Sequence, residues 1–459
     1  MSKLLFSETS LNSKLKEILE KNNFLTLTNV QEKTLPLMLN NKDIVVQSQT
    51  GSGKTLSFVL PILHNYLKNQ TFYKNHPVCL VIVPTRELAL QIEEVFKMFE
   101  IKTRSFIGGY EIEEDLKDIN NDYKIIVGTP GRLLEIIKKN SKIFSKISNL
   151  ILDEADRLIN LGFKEKVLDI VSLLPKSKSC SFFSATINED IKNLSKSILK
   201  NPVFVDNVGN EIPDNLLIRY LNLKSNEKLI YTLELVTNKK SIVFFATCNQ
   251  VDFFYDFLIK FGKKNIYKIH RKMKQDDRNN VYKNFYDQGE VLLCTDVAAR
   301  GIDFKNINLV IHFDIPSDYN NIIHRSGRTA RNGLKGESIL FVMPNETSYL
   351  DYLSIKKLEI KEIQYKNSLQ IEELKKIMDD ELYKLSVKAF VSYFRSYKEH
   401  SLSYILDYTT LNYDELVDLY MLKKIPGMTE LRNVEFKNFP REKPIEEKRR
   451  KSKKSKKNK

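Results

Sequence analysis

No stretch of this chain reaches the ~18 consecutive apolar residues that a membrane-spanning helix needs, so no membrane partner is expected. Cysteine is scarce: only Cys79, Cys180, Cys248 and Cys294 occur in 459 residues. No two of them stand at metal-ligand spacing, and each lies in or beside an apolar, strand-like run. Reduced core thiols are expected, which argues against a disulfide scaffold or a zinc module and points to the cytosol or nucleus. Residues 1–8 turn polar too soon for a secretory signal. Acidic residues are missing from one place, residues 448–459, which hold nine Lys/Arg and no Asp or Glu. That arm accounts for nine of the +15 net charges, so the body before it is only mildly basic. Such arms bind polyanions by counterion release or serve as nuclear-localisation signals.

What is present is organised around Ser48-Gln49-Thr50-Gly51-Ser52-Gly53-Lys54-Thr55. The apolar run Asp43-Ile44-Val45-Val46 reads as a buried strand before it, and 56–67 reads as a helix after it despite Pro61. A glycine loop from a strand into a helix N-terminus lets backbone N–H groups face a phosphate. Lys54 would place its ammonium on the outer phosphates, and the Thr55 hydroxyl would bind Mg²⁺. Ser48 replaces the first glycine of the common pattern.

At ~150 residues per domain the length suggests two or three domains. Helical spacing is seen over 10–23 and from Glu32 to Leu39. Beyond the loop, apolar runs at 78–83, 124–127, 150–152 and 180–183 read as parallel strands alternating with helices. Polar clusters follow them, at the edge where open parallel sheets bind ligands. The alternation repeats with strands at 242–245, 291–294, 309–313 and 338–342, without a second glycine loop. A linker is expected near Asn207–Asn215. From about 347 the period turns helical, over 368–384, 386–399 and 415–422. After Arg441 the chain is too charged to fold alone.

Asp153-Glu154 ends a strand about a hundred positions after Lys54. A nucleotide hydrolase needs one carboxylate near Mg²⁺ and one to deprotonate water. Asp153 would hold the metal through water, and Glu154 would act as general base. Phosphoryl transfer also needs positive charge beyond the γ-phosphate. Arg328 and Arg331 offer it, and their spacing predicts one shared helix face. Two domains closing on one ATP would make them arginine fingers in cis.

Together these blocks resemble a DEAD-box ATP-dependent RNA helicase, over about residues 1–346. Thr28 and Gln31, with Phe24 and Phe6, match the adenine-reading Q motif; the resemblance implies that Gln31 bonds the adenine edge and Phe24 packs on the ring. Pro84-Thr85-Arg86, Gly108-Gly109 and Thr129-Pro130-Gly131-Arg132 match RNA-backbone motifs. Asp153-Glu154-Ala155-Asp156 is the naming motif, and Ser184-Ala185-Thr186 matches the element coupling hydrolysis to unwinding. In the second half, Thr247, Gln275, Arg278, Thr295 and Asp296 match RNA-side positions, and Asp303 matches a contact to the ATP ribose. His324 and Arg325 fall in the arginine-finger block and join the coupling set. Asn23 and Arg271 stand where the family often has glycine.

The resemblance implies an α/β architecture of two RecA-like parallel-sheet domains in tandem, at 1–208 and 214–346. A helical C-terminal extension (347–435) and a disordered basic tail (436–459) would follow. It implies ATP and Mg²⁺ as cofactors, and RNA gripped through phosphates and 2′-hydroxyls with little sequence selectivity. Residues 387–397 and 425–431 resemble the extension of nucleolar helicases that assemble the large ribosomal subunit. The expected role is therefore remodelling of pre-ribosomal RNA on pre-60S particles by a monomeric, nucleolar enzyme. The alternatives are an ATP-gated RNA clamp without processive unwinding and a helicase in translation or mRNA handling. Helical spacing marks Tyr393, Phe394 and Tyr397 as core rather than RNA-stacking residues.

Overall fold

The computed structural model describes residues 4–48, 52–206, 215–296, 304–331, 334–364, 371–431 and 440. The expected linker and basic tail lie almost wholly outside these residues, as do Gln49, Thr50, Gly51 and Asp303. The chain divides into two compact units near residue 213.

The first unit carries a sheet built from β1 (Ile44–Gln47), β2 (Cys79–Ile82), β3 (Thr103–Phe106), β4 (Ile125–Gly128), β5 (Asn149–Asp153), β6 (Ser179–Ser184) and β7 (Val203–Asp206). Its order is β3-β4-β2-β5-β6-β1-β7, and every pairing is parallel. Ile44 and Val46 point into one apolar core, and Val45 points into another. Cys79 and Val81 join the first core, and Leu80 and Ile82 join the second. Burial on both faces is why these strands read as unbroken apolar runs. The helix Lys54–Lys68 runs through Pro61 and is buried on most sides, so packing outweighs the backbone bond that proline removes.

The second unit repeats the plan with β8 (Leu216–Asn222), β9 (Ser241–Phe245), β10 (Ile266–Ile269), β11 (Val291–Thr295), β12 (Leu309–His312), β13 (Gly336–Val342) and β14 (Lys361–Glu362). The order is β10-β11-β9-β12-β13-β8-β14, again parallel throughout. The sheet therefore continues past residue 346, because β14 pairs with β8. In the extension, the helix expected over 368–384 is broken. Ile371–Lys375 ends, and the Asp379 side chain accepts the Leu382 N–H at 2.9 Å to start a new helix, Asp380–Lys398. Tyr393, Phe394 and Tyr397 are core residues, at 2%, 0% and 5% exposure. All four cysteines are buried, and none forms a disulfide.

Candidate active site and nucleic-acid interface

In the first sheet β5, β6 and β1 are neighbours. Their C-terminal ends therefore bring Asp153, Ser184 and Ser48 to one edge. The Ser48 N–H donates to the Ser184 carbonyl at 2.9 Å. Lys54 opens the helix that follows, buried, with Nζ donating to the Ser48 carbonyl at 3.1 Å. Ser52 precedes that helix and Thr55 lies in its first turn, half-buried. Gly53, its N-cap, has φ +92, a conformation only glycine adopts readily. A Cβ there would lie 2.6 Å from Gln31 Nε2 and 2.9 Å from Thr28 Oγ1.

Thr28 caps the helix Asn29–Leu39, and the Gln31 carbonyl oxygen accepts its N–H at 2.8 Å. The other end of the same amide donates to the Gly53 carbonyl at 3.0 Å. Gln31 thus braces the phosphate loop directly, a second task beside the expected reading of adenine. Phe24 is 41% exposed.

Asp153 and Glu154 are buried at the end of β5. Burial pushes the Asp153 carboxyl up to about 6, Lys54 pulls it down, and the Glu154 and Asp156 carboxylates push it up again. Glu154 is left-handed, at φ 50 and ψ 50, and its Oε2 accepts from the buried Arg157 guanidinium at 2.7 Å. That backbone state costs an L-residue about 1–2 kcal/mol. Asp156 ties this turn to the next strand. Its N–H donates to Ser184 Oγ at 3.2 Å, Ser184 Oγ donates to the Thr186 carbonyl at 2.8 Å, and Thr186 Oγ1 donates to Asp156 Oδ2 at 3.2 Å. The expected coupling residues Ser184 and Thr186 are therefore wired to the carboxylate turn.

Among the described residues no three His, Cys, Asp or Glu side chains cluster as a cation cage. A crowded, buried carboxylate set beside a phosphate loop instead suits a cation that takes its remaining ligands from phosphate oxygens and water.

The residues matched to RNA motifs in this unit follow β2, β3 and β4. Pro84 is buried, and Thr85 caps the helix Arg86–Lys97, its Oγ1 accepting the Leu88 N–H at 3.4 Å. Gly109 has φ +107, and a Cβ there would lie 2.4 Å from Arg86 Nη1, so the Gly108–Gly109 turn seats the guanidinium. Thr129 caps the helix that Pro130 opens. Arg132 differs from expectation. It is buried, ion-paired to Asp115, and donates to the Tyr110 carbonyl at 2.6 Å. Burial raises the Asp115 carboxyl while Arg132 opposes it. Arg132 holds the turn after Gly109 in place rather than offering its charge to solvent.

In the second unit Thr247 follows β9 and caps the helix Cys248–Lys260. Its hydroxyl lies 3.1 Å from Gln250 Oε1 and 2.9 Å from Ser392 Oγ of the extension. Gln275 and Arg278 sit in the first turn of the helix Gln275–Gln288. Thr295 ends β11 and Asp296 follows it. Arg325 grips Asp296 with two bonds, of 2.6 and 2.8 Å. His324 and Arg325 lie in the last turn of the helix Tyr319–Ser326.

The shared helix face expected for Arg328 and Arg331 is not formed. The helix ends at Ser326 with Gly327 as its cap, and Ala330 takes φ +56, which turns the chain between the two arginines. Arg328 Nε donates to the His324 carbonyl at 3.1 Å, and Arg331 Nε to the Gly327 carbonyl at 2.9 Å. Each guanidinium is thus anchored by its own Nε on the chain four residues back. The sequence spacing missed the break because Gly327 is the only terminator, and no proline follows it.

Two buried residues had no motif to announce them. Asp314 lies just past β12, and Gln250 in the first turn after Thr247. Both are polar, near-fully buried and hydrogen-bonded at the same sheet edge as Thr247 and Asp296.

Comparison with known proteins agrees with this geometry. Residues 28–194 match the DEAD/DEAH box helicase family, 224–333 the helicase conserved C-terminal domain, and 379–428 the C-terminal extension of ATP-dependent rRNA helicase SPB4-like proteins. The chain is 49% identical over 434 residues to the ATP-dependent rRNA helicase SPB4 of Encephalitozoon cuniculi, covering 94% of this chain and 93% of that one. It is 36% identical over 449 residues to the human ATP-dependent RNA helicase DDX55, covering 91% and 74%. The DEAD-box helicase Mss116 bound to ssRNA and UDP-BeF superimposes with a TM-score of 0.85 at 27% identity, over 94% of this chain and 95% of that one. The same protein bound to ssRNA and AMP-PNP gives 0.84 at 26% identity, over 96% and 97%. Two RecA-like units in tandem, a phosphate loop braced by a glutamine and a buried Asp-Glu pair place this chain in the DEAD-box family of ATP-dependent RNA helicases.

Proposed function

We propose that this chain remodels ribosomal RNA on precursors of the large ribosomal subunit, spending one ATP per grip-and-release cycle. The observation that carries the reading is the extension: residues 379–428 match the SPB4-like model, beyond the helicase core. Lys54 and the loop from Ser48 to Thr55 hold the phosphates, and Gln31 and Phe24 take the base. Thr55, and Asp153 through water, would hold Mg²⁺, which would offset the charge of the phosphates. Glu154 removes the proton of the attacking water, with Arg157 holding its carboxylate in place. Arg328 and Arg331 stabilise the leaving charge when the second unit closes, and Asp303 meets the ribose. RNA lies on Thr85, Arg86 and the Gly108–Gly109 turn of one unit, and on Thr247, Gln275, Arg278 and Thr295 of the other. Its phosphates and 2′-hydroxyls are the groups read. The enzyme acts as a monomer in the nucleolus, and its Lys-rich tail adds affinity for polyanions.

Steady-state ATP hydrolysis by the purified chain, with single-stranded RNA or the matching DNA, tests this reading. Strong stimulation by RNA and none by DNA is expected. Equal rates with and without RNA would overturn RNA-gated hydrolysis. ATP-dependent RNA retention without release from a duplex would favour a clamp.

A further inference from the structure

The extension matched at 379–428 is more than an appendage, because its side chains finish a polar network under the RNA-side edge of the second sheet. The centre is Gln250, fully buried. Its two amide hydrogens go to Asp314 Oδ2 at 2.9 Å and to the Tyr420 hydroxyl at 2.9 Å. Its oxygen accepts the Thr247 N–H at 2.9 Å. Asp314 Oδ2 also accepts the Ala246 N–H at 3.0 Å, so one carboxylate oxygen fixes the turn that leaves β9. Asp314 Oδ1 faces the buried Lys228 ammonium at 3.5 Å. The Asp314 carbonyl accepts from Arg325 Nη1 at 3.1 Å, and Arg325 grips Asp296.

Two parts of this network come from the extension. Tyr420 is fully buried, against Phe253, Phe254 and Phe390, so its hydroxyl has little freedom to move. Ser392, on the helix Asp380–Lys398, meets the Thr247 hydroxyl at 2.9 Å. Asn249 Nδ2 adds a bond to the Lys388 carbonyl at 3.4 Å. Thr247 and Asp296 both follow strand ends at the edge where an open parallel sheet presents ligand contacts. A fully satisfied buried network fixes orientation more than it adds stability.

We propose that Ser392 and Tyr420 are positioning residues for RNA, Ser392 setting Thr247 directly and Tyr420 through Gln250, and that Asp314 passes that setting to Arg325 and Asp296. The extension is then a working part of the RNA grip, and RNA engagement is linked through one buried carboxylate to the helix that leads into Arg328. The inference rests on the proposed RNA-gated ATPase.

The test is the full chain carrying Ser392→Ala and Tyr420→Phe together, in steady-state hydrolysis titrated with a single-stranded RNA homopolymer and, separately, with ATP. The half-saturating RNA concentration should rise roughly three- to tenfold, the loss set by one or two hydrogen bonds. The KM for ATP and the RNA-free rate should not move, because neither residue is among those proposed to hold the nucleotide. Ser392→Thr, which keeps the hydroxyl, should restore most of the Ser392→Ala loss; a packing defect would not be rescued this way. Ser392→Ala alone, at a half-buried position, serves if the double variant fails to fold. An unchanged RNA titration in a variant beside a stimulated wild type overturns this inference and leaves the proposed function standing. A wild type that RNA does not stimulate overturns both.

Discussion

The two sheets have the same strand order, yet they do different work. Numbered from its own first strand, each runs 3-4-2-5-6-1-7. In the first, strand one (β1) leads into the glycine loop and Lys54. In the second, strand one (β8) leads to the short turn Ser225–Glu227, which has no glycine, and Lys228, which opens the next helix, faces Asp314. The middle strands make the sharper contrast. Past β5 come the buried carboxylates Asp153 and Glu154, and Glu154 accepts from the Arg157 guanidinium. Past β12 comes one buried carboxylate, Asp314, already committed to Ala246, Gln250 and Lys228. On the proposed reading, the same position in the same architecture supplies chemistry in one unit and rigidity in the other.

This contrast can be broken at each end. Glu154→Gln should lower RNA-stimulated hydrolysis by on the order of a hundredfold or more, the usual scale for a lost general base. ATP and RNA binding should survive, and nucleotide titration beside turnover separates the two; full activity would remove Glu154 from its role. Asp314→Ala should act on folding instead. It leaves the Lys228 charge buried and several donors unpaired, a defect costing about 3 kcal/mol or more. Denaturant unfolding should show the second unit melting earlier while ATP affinity holds, and an unshifted transition would contradict the proposed hub.

A subtler test uses the Asp153 carboxyl, which burial raises to about 6. On the proposed reading, its ionised form is the one that would hold Mg²⁺ through water. Nucleotide binding with Mg²⁺ should therefore weaken as pH falls through about 6. ATP itself also protonates, so the informative quantity is the part of the pH dependence that disappears in Asp153→Asn. Identical profiles for the two proteins would acquit Asp153.

Central strands were legible in the sequence because both faces are buried, so β2, β5, β9 and β12 are continuous apolar runs. The strands at the margins were not. Thr103-Arg104-Ser105-Phe106, Val203–Asp206 and Ile266–Ile269 have one neighbour each and mix polar with apolar residues, so nothing in their composition separates them from loop. The nucleotide residues were legible because phosphate binding demands glycine, lysine and a hydroxyl in fixed succession. Asp314 and Gln250 were not, since a buried hydrogen-bond hub requires only geometry, and geometry leaves no spacing rule. Arg132 shows the reverse case: a motif located the residue, but only its ion pair with Asp115 shows where the charge is directed.

The placement of β1 also bears on how the protein is made. It lies between β6 and β7, strands that leave the ribosome roughly 140 and 160 residues later. At typical synthesis rates that is a wait on the order of ten seconds, during which Ile44, Val45 and Val46 have no strand beside them. An emerging chain therefore cannot hold its nucleotide loop in shape until nearly the whole first unit is available. Apolar residues that later anchor the loop are exposed throughout that wait. The nascent protein should rely on holding chaperones early and gain the ability to bind ATP late, and in one step.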